Sequence, residues 1–399
     1  MDRRQFLHNT VLLPAASYVA SQSAGASPGG PAGADTVGLR EKFFGCIAGC
    51  HVGSALKGPC EGWFWQDCEA KFGTIDRLLP YQDYNNGWNR EPGTTEDGVE
   101  RQKMMITAMI EKQDRVTAED VRKIWVRDMK PEAAGMISEP FEAVLLAMAK
   151  SGIPAADIGK YCDYAGLVSM SRSCHPIPLM NAGDVENAVA DVMEVGQLYQ
   201  TANSRGLRWA AVMAIAIATA TKPGATVDSV IAAVLKGDNR FTAKDNPIES
   251  GTLQISHEIE RGLKITQPCK DYKELRLAFD KVYSGKGTPY PFSSANEVVT
   301  KALCVFYMVK GNTKEAMFAA VNMGRDTDCM SACAAGISGA LTGGSSIPEE
   351  WIKQVDYATT KMPVTNSRRT IRLHSDGLYE AYRARLRRMR AYADEMEKA

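Results

Sequence analysis

Residues 210–220 read Ala-Ala-Val-Met-Ala-Ile-Ala-Ile-Ala-Thr-Ala, with one hydroxyl and no charge. So much Ala over three turns favours a helix. A helix that is apolar on every face has to be enclosed by other elements. The segment therefore reads as a fully buried helix, and the rest of the chain must cover it. The covering elements are helical in pattern too. Val99, Ile106, Met109 and Ile110 form one apolar stripe on an otherwise polar segment, and residues 227–235, 298–309 and 314–321 continue the series. Alternating strand patterns bounded by turn residues are nearly absent. The expectation is an all-α fold, a single multi-helix domain over residues 35–399 packed around a central buried helix. At 399 residues the chain is long for one domain and can bury a large core.

The first 34 residues read differently. Arg3 and Arg4 precede a mildly apolar run, residues 11–20, and then a stretch rich in Ala, Gly, Ser and Pro, residues 21–34. A basic start, a short apolar middle and a small-residue cleavage zone are the parts of an export signal. The paired arginines point to the twin-arginine route. Cleavage is expected between Ala20 and Ala34, and the mature protein in the periplasm or outside the cell. The apolar run is too short and interrupted to span a bilayer, which takes ~20 apolar residues.

Composition narrows the partners. Lysines and arginines balance the acids to a net charge of zero, so no global field draws the chain to nucleic acid or an anionic membrane. A local basic cluster, Arg383, Arg385, Arg387, Arg388 and Arg390, is flanked by acids in a helical pattern and reads as a solvated surface helix. Ten cysteines suggest disulfides in an exported protein. However, Cys46 and Cys50 lie four apart in one helical pattern, as do Cys329 and Cys333, and such pairs are badly placed for bridging. Most read as small buried hydrophobes, with Cys60 and Cys68 left open as a pair. Residues 78–93 and 284–294 read as long loops of the kind that wall a site.

Two acidic clusters each sit at the start of an expected helix: Thr95-Glu96-Asp97 before the striped one, and Asp326-Thr327-Asp328 before a small-residue one. Carboxylates there can cap free backbone N–H groups. They are also hard oxygen ligands suited to Mg²⁺ or Mn²⁺. The small residues Ala332, Ala335, Gly336 and Gly339 let another helix approach closely, which would hold the Asp pair inside the bundle.

The stretch from Ala319 to Asp328, then residues 332–343 and Ile347-Pro348-Glu349-Glu350-Trp351, closely resembles the C-terminal signature of the ADP-ribosylglycohydrolase family. Gly45-Cys46-Ile47-Ala48-Gly49 through Gly58-Pro59-Cys60-Glu61 looks like its opening helix and loop, Thr95-Glu96-Asp97 falls where it has Thr-Asp-Asp, and residues 178–184 also match. The resemblance implies an all-α hydrolase that cleaves a glycosidic bond at a ribose-like sugar with two Mg²⁺ or Mn²⁺ ions. Thr95, Glu96, Asp97, Asp326 and Asp328 take its metal-ligand positions. Asp97 is the first candidate for the base and Glu61 its closest rival. Trp63 and Trp65 could stack on a sugar or base. His175 and Arg325 complete the candidate substrate contacts, though His175 reads more readily as structural and Arg325 as a partner for a carboxylate.

The departures from the family pattern bear on the ions. Glu96 replaces an Asp, Gly98 a Thr, Ser54 an Asp, and Cys329 stands where an oxygen ligand is usual. Together they leave the number of ions, two or one, open. Residues 166–175 do not reproduce the family's substrate loop, so the resemblance does not extend to the contacts that recognise an ADP moiety. Three functions follow: a hydrolase of ADP-ribosyl-type bonds on a small or glycosylated substrate, an exported hydrolase of another glycan or nucleoside, and a non-catalytic member that binds ligand. The sequence leaves the oligomeric state unspecified.

Export is tested by fractionating cells that express the full chain. A shortened chain outside the cytoplasm is expected, and retention when Arg3→Lys and Arg4→Lys are combined. A cytoplasmic protein that keeps Met1 and is indifferent to that change would contradict the leader assignment.

Overall fold

The computed structural model describes residues 37–57, 60–80, 90–130, 140–237, 251–283, 290–362 and 365–398. The leader, and the loop stretches 81–89 and 284–289, lie outside them. The described residues hold eighteen α-helices and no strand, with two isolated bridges, Met129 with Thr365 and Leu167 with Ser294. In chain order they begin with α1 (Leu39–Leu56), α2 (Trp65–Phe72), α3 (Asp97–Lys112), α4 (Ala118–Asp128), α5 (Pro140–Lys150) and α6 (Ala155–Ile158). The middle adds α7 (Ser169–Ser173), α8 (Pro176–Met180), α9 (Val185–Val195), α10 (Arg205–Ala220), α11 (Val227–Lys236) and α12 (Gly251–Thr266). The last are α13 (Tyr272–Tyr283), α14 (Ala295–Met308), α15 (Thr313–Val321), α16 (Thr327–Thr342), α17 (Glu349–Thr360) and α18 (Ile371–Met396).

Helix starts follow local chemistry. Thr117 with Asp120 and Thr226 with Ser229 close capping boxes on α4 and α11, and Ser204, Asn312 and Thr370 cap α10, α15 and α18. As its sequence demands, α10 is buried from Gly206 to Ala220, but it shares the interior with α1, α14 and α16, each buried along nearly its whole length. A domain this large has an interior thicker than one helix.

The tightest packing is between α1 and α16, which run antiparallel. A Cβ placed on Gly49 would come within 2.5 Å of the Ala335 carbonyl oxygen, and one on Gly53 within 2.9 Å of that of Ser331. Gly45 and Gly339 meet backbone to backbone. Small residues every fourth position on both helices make this approach possible, because i and i+4 share a face.

The polar face of α3 is buried as well. Lys103 and Glu100 pair at 2.7 Å, Thr95 and Thr365 each donate to Glu100, and Lys103 reaches Thr359. The Arg101 guanidinium lies over the Trp125 and Tyr199 rings at 5.5 and 5.0 Å. The stripe alone could not foretell this: α18 and the segment around Thr365 roof a face that its composition would leave in water.

In α18, Arg383, Arg387, Arg388 and Arg390 are exposed, while Arg385 turns inward and donates to the Met180 carbonyl oxygen at 2.7 Å. All ten cysteines are free, Cys60 and Cys68 included, and nine are buried. No helix among the described residues is long and apolar enough to cross a membrane.

Gly339→Ala should destabilise the protein by about 3 kcal/mol or more in chemical denaturation, at or beyond the upper range for overpacking, because backbone atoms cannot swing aside. Gly38→Ala, where the new methyl would meet nothing within 4 Å, should cost no more than about 1 kcal/mol, the scale of a weaker N-cap on α1. Equal stability of the two variants would contradict the crossing.

Candidate active site

The crossing of α1 and α16 sets the site. Because the helices are antiparallel, the C-terminal end of α1 reaches the N-terminal end of α16, and Lys57, the C-cap of α1, arrives beside Asp328. A short loop then carries Glu61. It is fastened to the α15–α16 connection by two backbone bonds, Gly62 N to the Arg325 oxygen at 2.9 Å and Arg325 N to the Trp63 oxygen at 2.5 Å. Arg325 takes a left-handed φ of 64° at this point. Its guanidinium is held by Glu297 at 2.9 Å and by the Tyr290 carbonyl oxygen at 3.1 Å. The start of α3 brings Glu96 and Asp97, and α7 brings Arg172.

The result is a buried cluster of carboxylates around two cationic side chains. The Lys57 ammonium donates to Glu61 and to Glu96 and lies 3.7 Å from Asp328 Oδ2. The Arg172 guanidinium donates to Asp97 and lies 3.9 Å from Asp328 Oδ2. Glu61, Glu96 and Asp328 each offer an oxygen within 4.8 Å of the others, and Asp326, Asp328 and Cys329 form a second such group. Glu61 is the member that reaches solvent, with 11 % of its side chain exposed against 4 % for Glu96, 5 % for Asp97 and 3 % for Asp328.

Glu96 and Asp326 are the N-caps of α3 and α16, yet neither side chain makes the capping hydrogen bond. The ordinary reason for an acid at a helix start is therefore missing here. Instead, both oxygens of Asp326, Oδ1 of Asp328 and Oε1 of Glu96 are buried and accept from no N–H, and Asp326 faces the Asp328 carboxyl and the Cys329 thiol. Burial pushes the Asp326 carboxyl well above the usual carboxylate range, with Asp328 adding to it. Burial also raises Glu61 strongly, with Asp328 adding to it and Lys57 opposing, and raises Glu96 despite Lys57. For Asp328 burial pushes up too, but Lys57 and Arg172, with Asp326, outweigh it and hold the group below its ordinary value.

These residues fit a hard divalent cation. Orphaned carboxylate oxygens converge in a dry place, at the N-termini of two helices whose free N–H groups only partly offset the charge. The Cys329 thiol is held protonated by burial and is a poor ligand for such an ion.

Of the candidates from sequence, Glu61, Glu96, Asp97, Asp326 and Asp328 come together. Thr95 adjoins them, but its hydroxyl is directed into the Glu100–Lys103 pair. Trp65 lies under the Arg276 guanidinium at 3.9 Å and donates its indole N–H to Asp280 at 2.7 Å; Trp63 packs on Phe72. Both rings are thus engaged by the protein. His175 is fully buried, 3.2 Å from the Ala332 carbonyl oxygen and against Gly336 of α16, and burial lowers its pKa to about 4. Arg325 holds a carboxylate, Glu297, outside the cluster.

Sequence reasoning missed Lys57 and Arg172. For Lys57 the signal was there: a lone lysine ends an apolar helix four residues before Glu61. For Arg172 it lay in Gly98, since a Cβ at that position would come within 2.7 Å of the Arg172 Cδ. The absent side chain at position 98 is the space through which Arg172 reaches Asp97.

The chain belongs to the ADP-ribosylglycohydrolase family, whose sequence model matches residues 35–387. Its fold is shared with a solved structure described as an ADP-ribosylglycohydrolase-related protein complex. The TM-score is 0.58 at 15 % sequence identity, over 87 % of this chain and 98 % of that one. No curated protein sequence matches the chain significantly.

Proposed function

We propose that this protein is an exported, divalent-cation-dependent hydrolase of an N- or O-glycosidic bond at a ribose-like sugar. Membership of a glycohydrolase family supports the reaction class. The observation that carries the metal dependence is the set of buried carboxylate oxygens, on Asp326, Asp328 and Glu96, that neither cap a helix nor accept from an N–H. Asp326 and Asp328 would hold the cation, with Glu96 beside them. When bound, it would supply charge stabilisation for sugar hydroxyls and for an oxocarbenium-like transition state.

Within this reading Glu61 is the better proton carrier and Asp97 the weaker one. Asp97 is ion-paired with Arg172 and deeply buried, which leaves it little access to substrate. Glu61 sits on a loop, is the most exposed of these acids, and is backed by Lys57, so it can take a proton from water or deliver one to a leaving group. The substrate is a small or glycosylated molecule met outside the cytoplasm. ADP-ribosyl-type bonds and other ribosides or glycosides stand level, because residues 166–175 pack Arg172 and His175 inward and depart from the family's substrate loop.

A screen of ADP-ribosylated peptides, nucleosides and aryl glycosides, with Mg²⁺ or with chelator, tests this. Hydrolysis that requires the cation is expected. With the best substrate, Asp328→Asn should lower turnover by at least ~100-fold, the scale of a lost several-kcal/mol transition-state contact, with cation binding weakened in calorimetry. Glu61→Gln should lose turnover while binding the cation more nearly normally. Full activity in chelator would overturn the metal reading, and normal cation binding with no hydrolysis anywhere in the screen would favour a ligand-binding protein.

A further inference from the structure

Lys57 occupies the centre of one of the two acidic groups. Its side chain is fully buried, and its ammonium contacts the same three carboxylates, Glu61, Glu96 and Asp328, whose oxygens converge within 4.8 Å. Such a convergence is what a divalent cation needs, and here a protein cation stands in it. The position suits an ammonium in a second way, because it is the C-cap of α1, where the helix dipole favours positive charge. The other acidic group, Asp326, Asp328 and Cys329, has Lys57 3.7 Å from Oδ2 of the Asp328 that both groups share and the Arg172 guanidinium 3.2 Å from the Cys329 sulfur, but neither cation reaches its orphaned oxygens, Asp326 Oδ1 and Oδ2 and Asp328 Oδ1.

We propose that the Lys57 ammonium is a built-in replacement for one of two cations, so that the centre takes a single divalent ion, at Asp326 and Asp328. The inference rests on the metal-dependent reading above and specifies its stoichiometry. A lysine nitrogen in contact with Glu61 and Glu96 excludes a divalent ion from the same oxygens by space and by charge repulsion. Arg172 acts in the same direction on the far side of Asp328: entering through the gap left by Gly98, it satisfies Asp97 and removes a further carboxylate from the ligand set. Two departures from the family pattern then share one account. Glu96, a methylene longer than Asp, meets the Lys57 ammonium, and Gly98, without the Thr side chain, admits the Arg172 guanidinium.

The test counts ions on the full chain. Wild type and Lys57→Ala are titrated with Mn²⁺, the bound ions per chain are read by native mass spectrometry, and the Mn²⁺ electron paramagnetic resonance spectrum distinguishes an isolated ion from a coupled pair. Wild type should bind one ion with an isolated-ion spectrum. Lys57→Ala, which vacates the space between three carboxylates, should bind two with a coupled-pair spectrum, and its melting temperature should rise more with Mn²⁺ than that of wild type. Should the variant fold only with Mn²⁺ present, its count in Mn²⁺ still decides. A wild-type count of two overturns the role of Lys57 and leaves the metal reading standing, and a variant that still takes one ion overturns it as well. No ion on either protein overturns the metal reading itself.

Discussion

The backbone contact between α1 and α16 is the constraint from which the site follows. Helices separated by ordinary side chains pack 8–10 Å apart, but glycine against glycine brings these two closer, and their antiparallel course then leaves no choice about what meets at the end. Lys57 and Glu61, just past the end of α1, are set against Asp326 and Asp328 at the start of α16. The two backbone bonds between the Glu61 loop and Arg325 lock the same register from the side. Function here is a consequence of helix packing: a methyl group at Gly339 would move the acids as surely as mutating one of them.

Placing so many carboxylates in a dry interior is costly. An uncompensated buried charge costs several kcal/mol, and a domain has only ~5–15 kcal/mol of net stability to set against it. The fold compensates in three ways: Lys57 and Arg172 pair with four of the acids, the starts of α3 and α16 turn their free N–H groups toward them, and Asp326 can hold a proton when no cation is near. None of these gives the oxygens of Asp326 an N–H donor; they face the weak Cys329 thiol and the Asp328 carboxyl. The remaining imbalance lies at the start of α16, which is where a divalent ion would complete it.

Much of this was legible in the sequence. The all-α class and the burial of α10 and α16 follow from runs of Ala, Ile and Gly that no strand or surface helix would carry. The acids Glu96, Asp97, Asp326 and Asp328 stood out because each pair opens a helix. Helices α4, α9, α13 and α17 were not singled out although their apolar residues recur at helical spacing, because each is short and carries charges between them. Nor was the burial of Glu100, Arg101 and Lys103, since composition says nothing about a partner that comes from residues 359 and 365. Lys57 and Arg172 were missed for a related reason: a lone cation signals its role only once the acids it faces, distant in sequence, are brought to it.

Where a hard cation binds is the decisive property of this site. Crystals grown with Mn²⁺ and measured at its absorption edge would locate it by anomalous scattering. A peak bonded to the Asp326 and Asp328 carboxylates at the start of α16 is expected. Mn²⁺ found elsewhere, or absent, with those carboxylates neighboured only by Lys57 and Arg172, would contradict this placement.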